Sequence, residues 1–413
     1  MQVFQKLNNS TNLSASLDHS KLAAVITPYP PHPKDMPSLL LFATLSTALS
    51  ASASRWNCTS YPTPPVPTDV AKLNPSHVGV VMAMGDSITA AFAIRSGLEE
   101  GRDISWSIGT GTDANPTLPY FLSQYSPGVT GMSTKAVLPA GITHLPDGDY
   151  HPKTDHLNVA ESSGAVHRGS LDQQWGYLQE HRKDFPTFDT EWKVLTVWMT
   201  ANDVCGECDA PLNGTAFLAS WVAKTDELLQ NVSGSMQKVY VNLVSTLDLS
   251  NIARIQKTKA GCKFEHKHVL KECGCIDRGN ATQLAMLDHN VHTMNDELHG
   301  LAAKWRARLA AAGRTDMAVI VQSYQEGIGA TLDYEFLNTL DCFHPGTLGH
   351  ALLATGLWNS MLCVDGRENR CGEKFSKQLM ATCPTADSVF YTGPDVIPGP
   401  PPAVDFDTGL PLR

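Results

Sequence analysis

The chain has 413 residues, of which 42% are apolar and 17% charged, ample material for a globular core. Its formal net charge is -10, with a pI near 5.8. This balance excludes a nucleic-acid binder, which needs a basic footprint, and gives no attraction to an anionic membrane surface.

Residues 36–53 read MPSLLLFATLSTALSASA, an apolar core from Leu39 to Leu49 followed by small residues. This pattern is that of a secretory leader, with a cut expected after Ala53. The run is too short for a stable membrane span, which needs about 20 residues. Residues 1–35 are read either as a long n-region or, preferably, as an upstream artefact before a true start at Met36; an uncleaved anchor is the third alternative. Ten cysteines fit an oxidising compartment. Sequons at Asn57, Asn213, Asn231 and Asn280 fit export as well. The expectation is a secreted, extracellular protein. Its parts are a Pro-rich lead-in at 54–75, a main domain at 76–388 and a flexible Pro-rich tail at 389–413. No apolar run near the C-terminus suits a transmembrane tail or a lipid-anchor signal.

Within the domain, residues 78–84, 193–199, 238–244 and 317–321 are β-branched, nearly continuous apolar runs. Continuous rather than alternating apolarity marks strands of a parallel sheet covered on both faces. A weaker run at 157–160 makes a fifth. Helical patterns intervene at 171–182, 216–231 and 282–312. In the last of these, Leu284, Leu287, Val291, Met294, Leu298, Leu301 and Trp305 recur at steps of three and four, as a stripe packed on the sheet would. The expected fold is a three-layer α/β/α sandwich with a mostly parallel, flavodoxin-like sheet of about five strands. Chemistry in such folds sits beyond the carboxyl ends of the strands.

Directly after the first strand comes Gly85-Asp86-Ser87. Glycine permits a tight strand-to-helix turn, and a serine there can offer both a hydroxyl and its backbone N–H to a substrate. Taken alone, this motif equally describes a helix N-cap. After the next strand come Thr200-Ala201-Asn202-Asp203, where the Asn202 amide could donate into the same place; an Asx turn is the alternative. After 157–160, Gly164 could bring a backbone N–H close to substrate, or simply make a turn. Late in the domain stands Asp341-Cys342-Phe343-His344-Pro345. A serine hydroxyl needs a base, and a histidine held by a carboxylate three residues away supplies one in a single compact turn.

Serine, glycine, asparagine and Asp-x-x-His in this order, each after its strand, resemble the blocks of the SGNH/GDSL hydrolases. Within that superfamily the chain is similar to the phospholipase B-like lipases. Ser105-Trp106-Ser107-Ile108-Gly109, Thr117-Leu118-Pro119, Asn158-Val159-Ala160 and Asn202-Asp203-Val204-Cys205-x-x-Cys208 carry that likeness, which runs from about residue 78 to 353. The resemblance implies Ser87 as nucleophile, His344 as general base and acid, and Asp341 as its orienting carboxylate. It implies an oxyanion hole from the Ser87 N–H, the Gly164 N–H and the Asn202 side chain. Asp86 is read as structural. Thr200 stands where the family usually has glycine, so it is expected to narrow the substrate pocket. Gly164 carries one more residue than the common spacing, which makes Gly109 or Gly111 the fallback for contacting substrate. Ala91 replaces a frequent glycine, with little effect expected.

The implied activity is hydrolysis of carboxylic esters through an acyl-serine, with phospholipid or lysophospholipid acyl esters leading. Acylated carbohydrates are the alternative substrates, and a silent lipid- or glycan-binding protein is the alternative class. No cofactor or metal is expected; the partner is a lipid or small ester, met through transient contact with a lipid surface. Cys262, His266, His268, Cys273 and Cys275 lack the paired spacing of a zinc site. Cys205 and Cys208 are expected to bridge each other beside Asn202, and Cys342 to be either bridged or a buried thiol.

Overall fold

The computed structural model describes residues 54–139, 150–259, 261–262, 272–326, 328, 332–362 and 376–393. The expected leader, the segment before it, residues 394–413 of the expected tail, and His266 and His268 lie outside the described residues.

Four parallel strands form the sheet in the order β1-β2-β3-β4: β1 is Val78–Gly85, β2 Trp192–Trp198, β3 Val239–Val244 and β4 Met317–Gln322. Every residue of β2, β3 and β4 is buried, which is why the runs read as continuously apolar. Gly85 pairs with Trp198, and Val244 with Gln322, so the strands end almost flush. The loops that follow β1 and β2 therefore emerge side by side at one edge.

The fifth strand exists only in part. Ala83 makes a single parallel bridge to Asn158, supported by Ala83 N–H to Leu157 O and Val159 N–H to Ala83 O, both 3.0 Å. Farther back, Thr130 takes over as the partner of β1. The outward carbonyls of Asn158 and Ala160 accept instead from the buried Arg102 guanidinium, at 3.1 and 2.8 Å. Arg102 in turn pairs with buried Glu100 at 2.7 Å. A buried cation thus covers a sheet edge that would otherwise carry unpaired acceptors.

Helices cover the sheet. The principal ones are α1 (Ser87–Ala90), α2 (Ser170–His181), α3 (Ala201–Val204), α4 (Ala216–Ser235), α5 (Ser250–Thr258), α6 (Ala281–Ala311) and α7 (Thr347–Met361). Asn280 caps α6 through a capping box with Gln283, and all seven residues of the expected stripe are buried. α7 was not expected from periodicity, because it is buried almost all round. Gly356 lets it lie against Tyr324, where a Cβ would come 2.5 Å from the ring.

Among the described residues four disulfides join Cys58 to Cys383, Cys205 to Cys273, Cys208 to Cys275 and Cys262 to Cys342. The expected Cys205–Cys208 bridge is therefore corrected. The two cysteines face a neighbouring segment as a pair, with Cα separations of 5.0 and 5.9 Å that suit two separate bridges. The cysteines of the discounted zinc set are all engaged in disulfides. The lead-in has no regular structure before the single 3-10 turn at Val70–Lys72 but packs on the domain: Trp56 stacks on Phe121 at 5.5 Å, and Tyr61 on Tyr125 at 4.7 Å.

Candidate active site

The turn after β1 is built for close approach. A Cβ on Gly85 would lie 2.5 Å from Thr89 Oγ1 and 2.8 Å from the Trp198 carbonyl, so only glycine fits. Asp86 caps α1, its Oδ1 accepting the Ile88 N–H at 2.9 Å. Burial pushes its pKa up to about 6, against the pull of that hydrogen bond and of His344. Its role is structural, as expected. Ala91 ends α1 in the left-handed region at φ 62°, a conformation that favours glycine, so this replacement carries local strain rather than being neutral.

Gln174, on α2, grips the turn from outside. Its Oε1 accepts the Gly85 N–H at 2.9 Å and its Nε2 donates to the Gly85 carbonyl at 2.8 Å. Nothing in the sequence marks this residue, which lies 89 positions away and is fully buried.

Ser87 Oγ lies 2.7 Å from His344 Nε2, and His344 Nδ1 lies 2.7 Å from Asp341 Oδ2. All three side chains are buried. The second carboxylate oxygen, Oδ1, accepts from the Phe343 N–H at 2.8 Å, the His344 N–H at 2.9 Å and Asn338 Nδ2 at 2.9 Å. Asn338 also receives the Asp341 N–H on its own Oδ1 and donates Nδ2 to the His344 carbonyl. It holds the loop shut from the inside; an Asx residue three before the aspartate was its only sequence signal. The Cys262–Cys342 bridge fixes the loop from the outside.

Burial alone would lower the His344 pKa, but the Asp341 charge and hydrogen bond overcome it and push the ring up to about 9. Burial acts on Asp341 in the opposite sense. There, His344 and the backbone donors prevail and hold the carboxyl below its usual value. The pair is arranged as an anion steadying a cation.

The remaining expected site residues divide. The Ser87 N–H has no acceptor among the described residues. Asn202 Nδ2 donates to the Gly164 carbonyl at 3.0 Å, which uses one of its two amide hydrogens. The Gly164 N–H is already donated to Glu161 O at 2.9 Å. Its glycine character answers to packing, since a Cβ would sit 2.9 Å from the Gly85 carbonyl. Asp203 ties this loop to α3 by accepting the Val166 and His167 N–H groups, each at 2.9 Å.

Gly109 and Gly111 face inward. Their N–H groups donate to Ser105 O and Asp103 O, and a Cβ on Gly109 would strike backbone at 2.6 Å. Thr200 is buried and lines a second, smaller cavity with Val166, Trp221 and Leu298. These three residues are expected to contact substrate; Gly109 and Thr200 are buried and Gly111 is half-buried.

An apolar cleft of about 630 Å³, open mouth included, lies among the loops that carry the serine and the histidine, whose own side chains are not part of its lining. Ile88, Ala201, Phe343 and Pro345 line it, and each is the chain neighbour of Ser87, Asn202 or His344. It then runs under α5 and α7 along Ile252, Leu332 and Leu353.

This geometry agrees with the comparison to known families, in which the GDSL-like lipase/acylhydrolase family matches residues 81–357, more than half of the chain. The chain belongs to that family. The GDSL assignment places it among the ester-bond hydrolases and bears out the likeness read from the motifs. The chain is 28% identical to the membrane-associated phospholipase B1 of Rattus norvegicus over 400 residues, covering 91% of this chain and 26% of that protein. The phospholipase B1 of Homo sapiens is 29% identical over 347 residues, covering 79% and 22%. The chain thus spans about a quarter of the length of these relatives. A solved GDSL-like lipase from Parabacteroides merdae aligns with 68% of this chain and 95% of its own, at 15% identity and a TM-score of 0.32.

Proposed function

We propose that this GDSL hydrolase is a serine esterase acting on lipid acyl esters, with glycerophospholipids or lysophospholipids as its substrate class. The observation that carries this reading is the unbroken hydrogen-bond chain from Ser87 through His344 to Asp341, with an apolar cleft lined by the chain neighbours of Ser87 and His344. Ser87 Oγ attacks the ester carbonyl while His344 Nε2 takes its proton. The resulting oxyanion is met by the Ser87 N–H and the free hydrogen of the Asn202 amide. The C–O bond then breaks, His344 returns the proton to the leaving alcohol, and the acyl group stays on Ser87. A water, deprotonated by the same ring, releases the acid. The cleft holds the acyl chain, and the relatives named as phospholipases support a lipid substrate.

Release of fatty acid from mixed phospholipids, compared with release of acetate from acylated carbohydrates, tests the substrate class. Acetate release alone would replace the lipid reading. Export is part of the proposal, supported by the disulfides and by four sequon asparagines that are all exposed.

Two consequences are measurable. Asn202→Ala removes one oxyanion donor and is expected to lower kcat by about 10²–10³-fold. An unchanged rate would exclude Asn202 from the hole. The general base must be neutral to work, and His344 is held protonated up to about pH 9. The rate kcat/KM is therefore expected to climb by about tenfold per pH unit through neutrality and level off only near that value. A plateau already reached near pH 6.5, the unperturbed histidine range, would contradict this.

A further inference from the structure

The apolar cleft contains a side chain that an apolar cleft should not tolerate. Gln325 lines it, is fully buried, and its Oε1 has no hydrogen-bond partner among the described residues. Among the described residues the amide makes one side-chain hydrogen bond, a long one from Nε2 to Tyr324 OH at 3.5 Å. Thr246, the other polar side chain in the lining, is different: its hydroxyl accepts the Trp198 indole N–H at 3.0 Å. A buried amide left unpaired is destabilising, and such groups are retained where something else completes them.

The position of Gln325 indicates what that is. It lies three residues beyond β4, and β4 is three strands from β1, about 14 Å across the sheet. Ser87 follows β1 directly. Gln325 thus follows the strand farthest from the one that leads into Ser87, and it lines the cleft together with Ile328 and Leu332. Both amide ends can hydrogen-bond to a hydroxyl, which donates and accepts, so either orientation of the amide is served.

Resting on the esterase reading above, we propose that Gln325 is a specificity-determining residue, and that the cleft selects acyl chains carrying a hydroxyl part-way along their length. A saturated chain fills the same space but leaves the amide unpaired. Sites built to bond a substrate hydroxyl discriminate strongly against the analogue that lacks it.

The test compares kcat/KM for two lysophosphatidylcholines, one stearoyl and one with a mid-chain hydroxyl on the same acyl group. The wild-type protein is expected to favour the hydroxylated lipid by at least about tenfold. Gln325→Leu is expected to abolish or reverse that preference and, by removing an unpaired polar group, to raise the melting temperature. Gln325→Met, closer in shape, guards against a packing artefact. Equal rates in the wild type, or a preference that survives both replacements, would overturn the proposal. If neither lipid is cleaved, the lipid-esterase reading fails instead. The cleft can still be judged in that case. In Ser87→Ala protein, hydroxystearate is expected to displace a fluorescent fatty acid more readily than stearate, and parity would refute the assignment.

Discussion

Ser87→Ala is expected to lower ester turnover by about 10⁶-fold while leaving the fold intact. The two halves of this expectation rest on different contacts. Among the described residues the hydroxyl makes one hydrogen bond, to His344 Nε2. The turn that carries it is held independently, by Asp86 on the Ile88 N–H and by Gln174 on both backbone groups of Gly85. Removing the oxygen therefore deletes the nucleophile without touching what positions it. Thermal unfolding within a few degrees of wild type, together with loss of labelling by a fluorophosphonate, would be the expected pair of results. Labelling that persists in the alanine variant would move the nucleophile elsewhere. Some rate above background is expected to remain, because the Ser87 N–H and Asn202 still polarise a bound carbonyl.

Much of this arrangement was legible in the amino-acid order, for physical reasons that also explain what was not. Strands buried on both faces must be continuously apolar, so β1 to β4 could be read to within a residue or so of their ends. The stripe of α6 was equally plain, since only one side of that helix is buried. α7 was missed because it is buried nearly all round, and a helix without a polar face has no period to detect. Ser87, Asp341 and His344, which the structure brings into one hydrogen-bonded chain, could be singled out because their spacing is local or their order characteristic. Asn338, Gln174 and Gln325 act through contacts that only the folded chain creates. The cysteine error has the same origin: Cys205 and Cys208 are neighbours in sequence, but their sulfurs face Cys273 and Cys275. Gly164 and Gly109 are glycines near the site whose lack of a side chain serves close backbone packing, while Gly111 sits at a positive φ against the Thr117 side chain.

Asp341→Asn is the other large effect expected, a fall in kcat of about 10⁴-fold. The amide is nearly the same size, so the outcome turns on which way it faces. Oδ1 of Asp341 receives three donors, from Phe343, His344 and Asn338. An asparagine has one oxygen to give them, and three N–H groups will hold it there. Its NH₂ must then take the place of Oδ2 and point at His344 Nδ1. That nitrogen becomes an acceptor, and the ring proton is forced onto Nε2, facing Ser87, where a base is needed. The loss is thus one of tautomer as well as charge. Because the Asp341 charge is also what raises the His344 pKa, the variant's residual activity is expected to reach its plateau at a lower pH than wild type. A variant within tenfold of wild type, with its alkaline limb unmoved, would mean that Asp341 only braces the loop. The combined shift in rate and pH profile distinguishes an electrostatic partner from a structural one, since a loosened loop would cost rate without moving the histidine's titration in this direction.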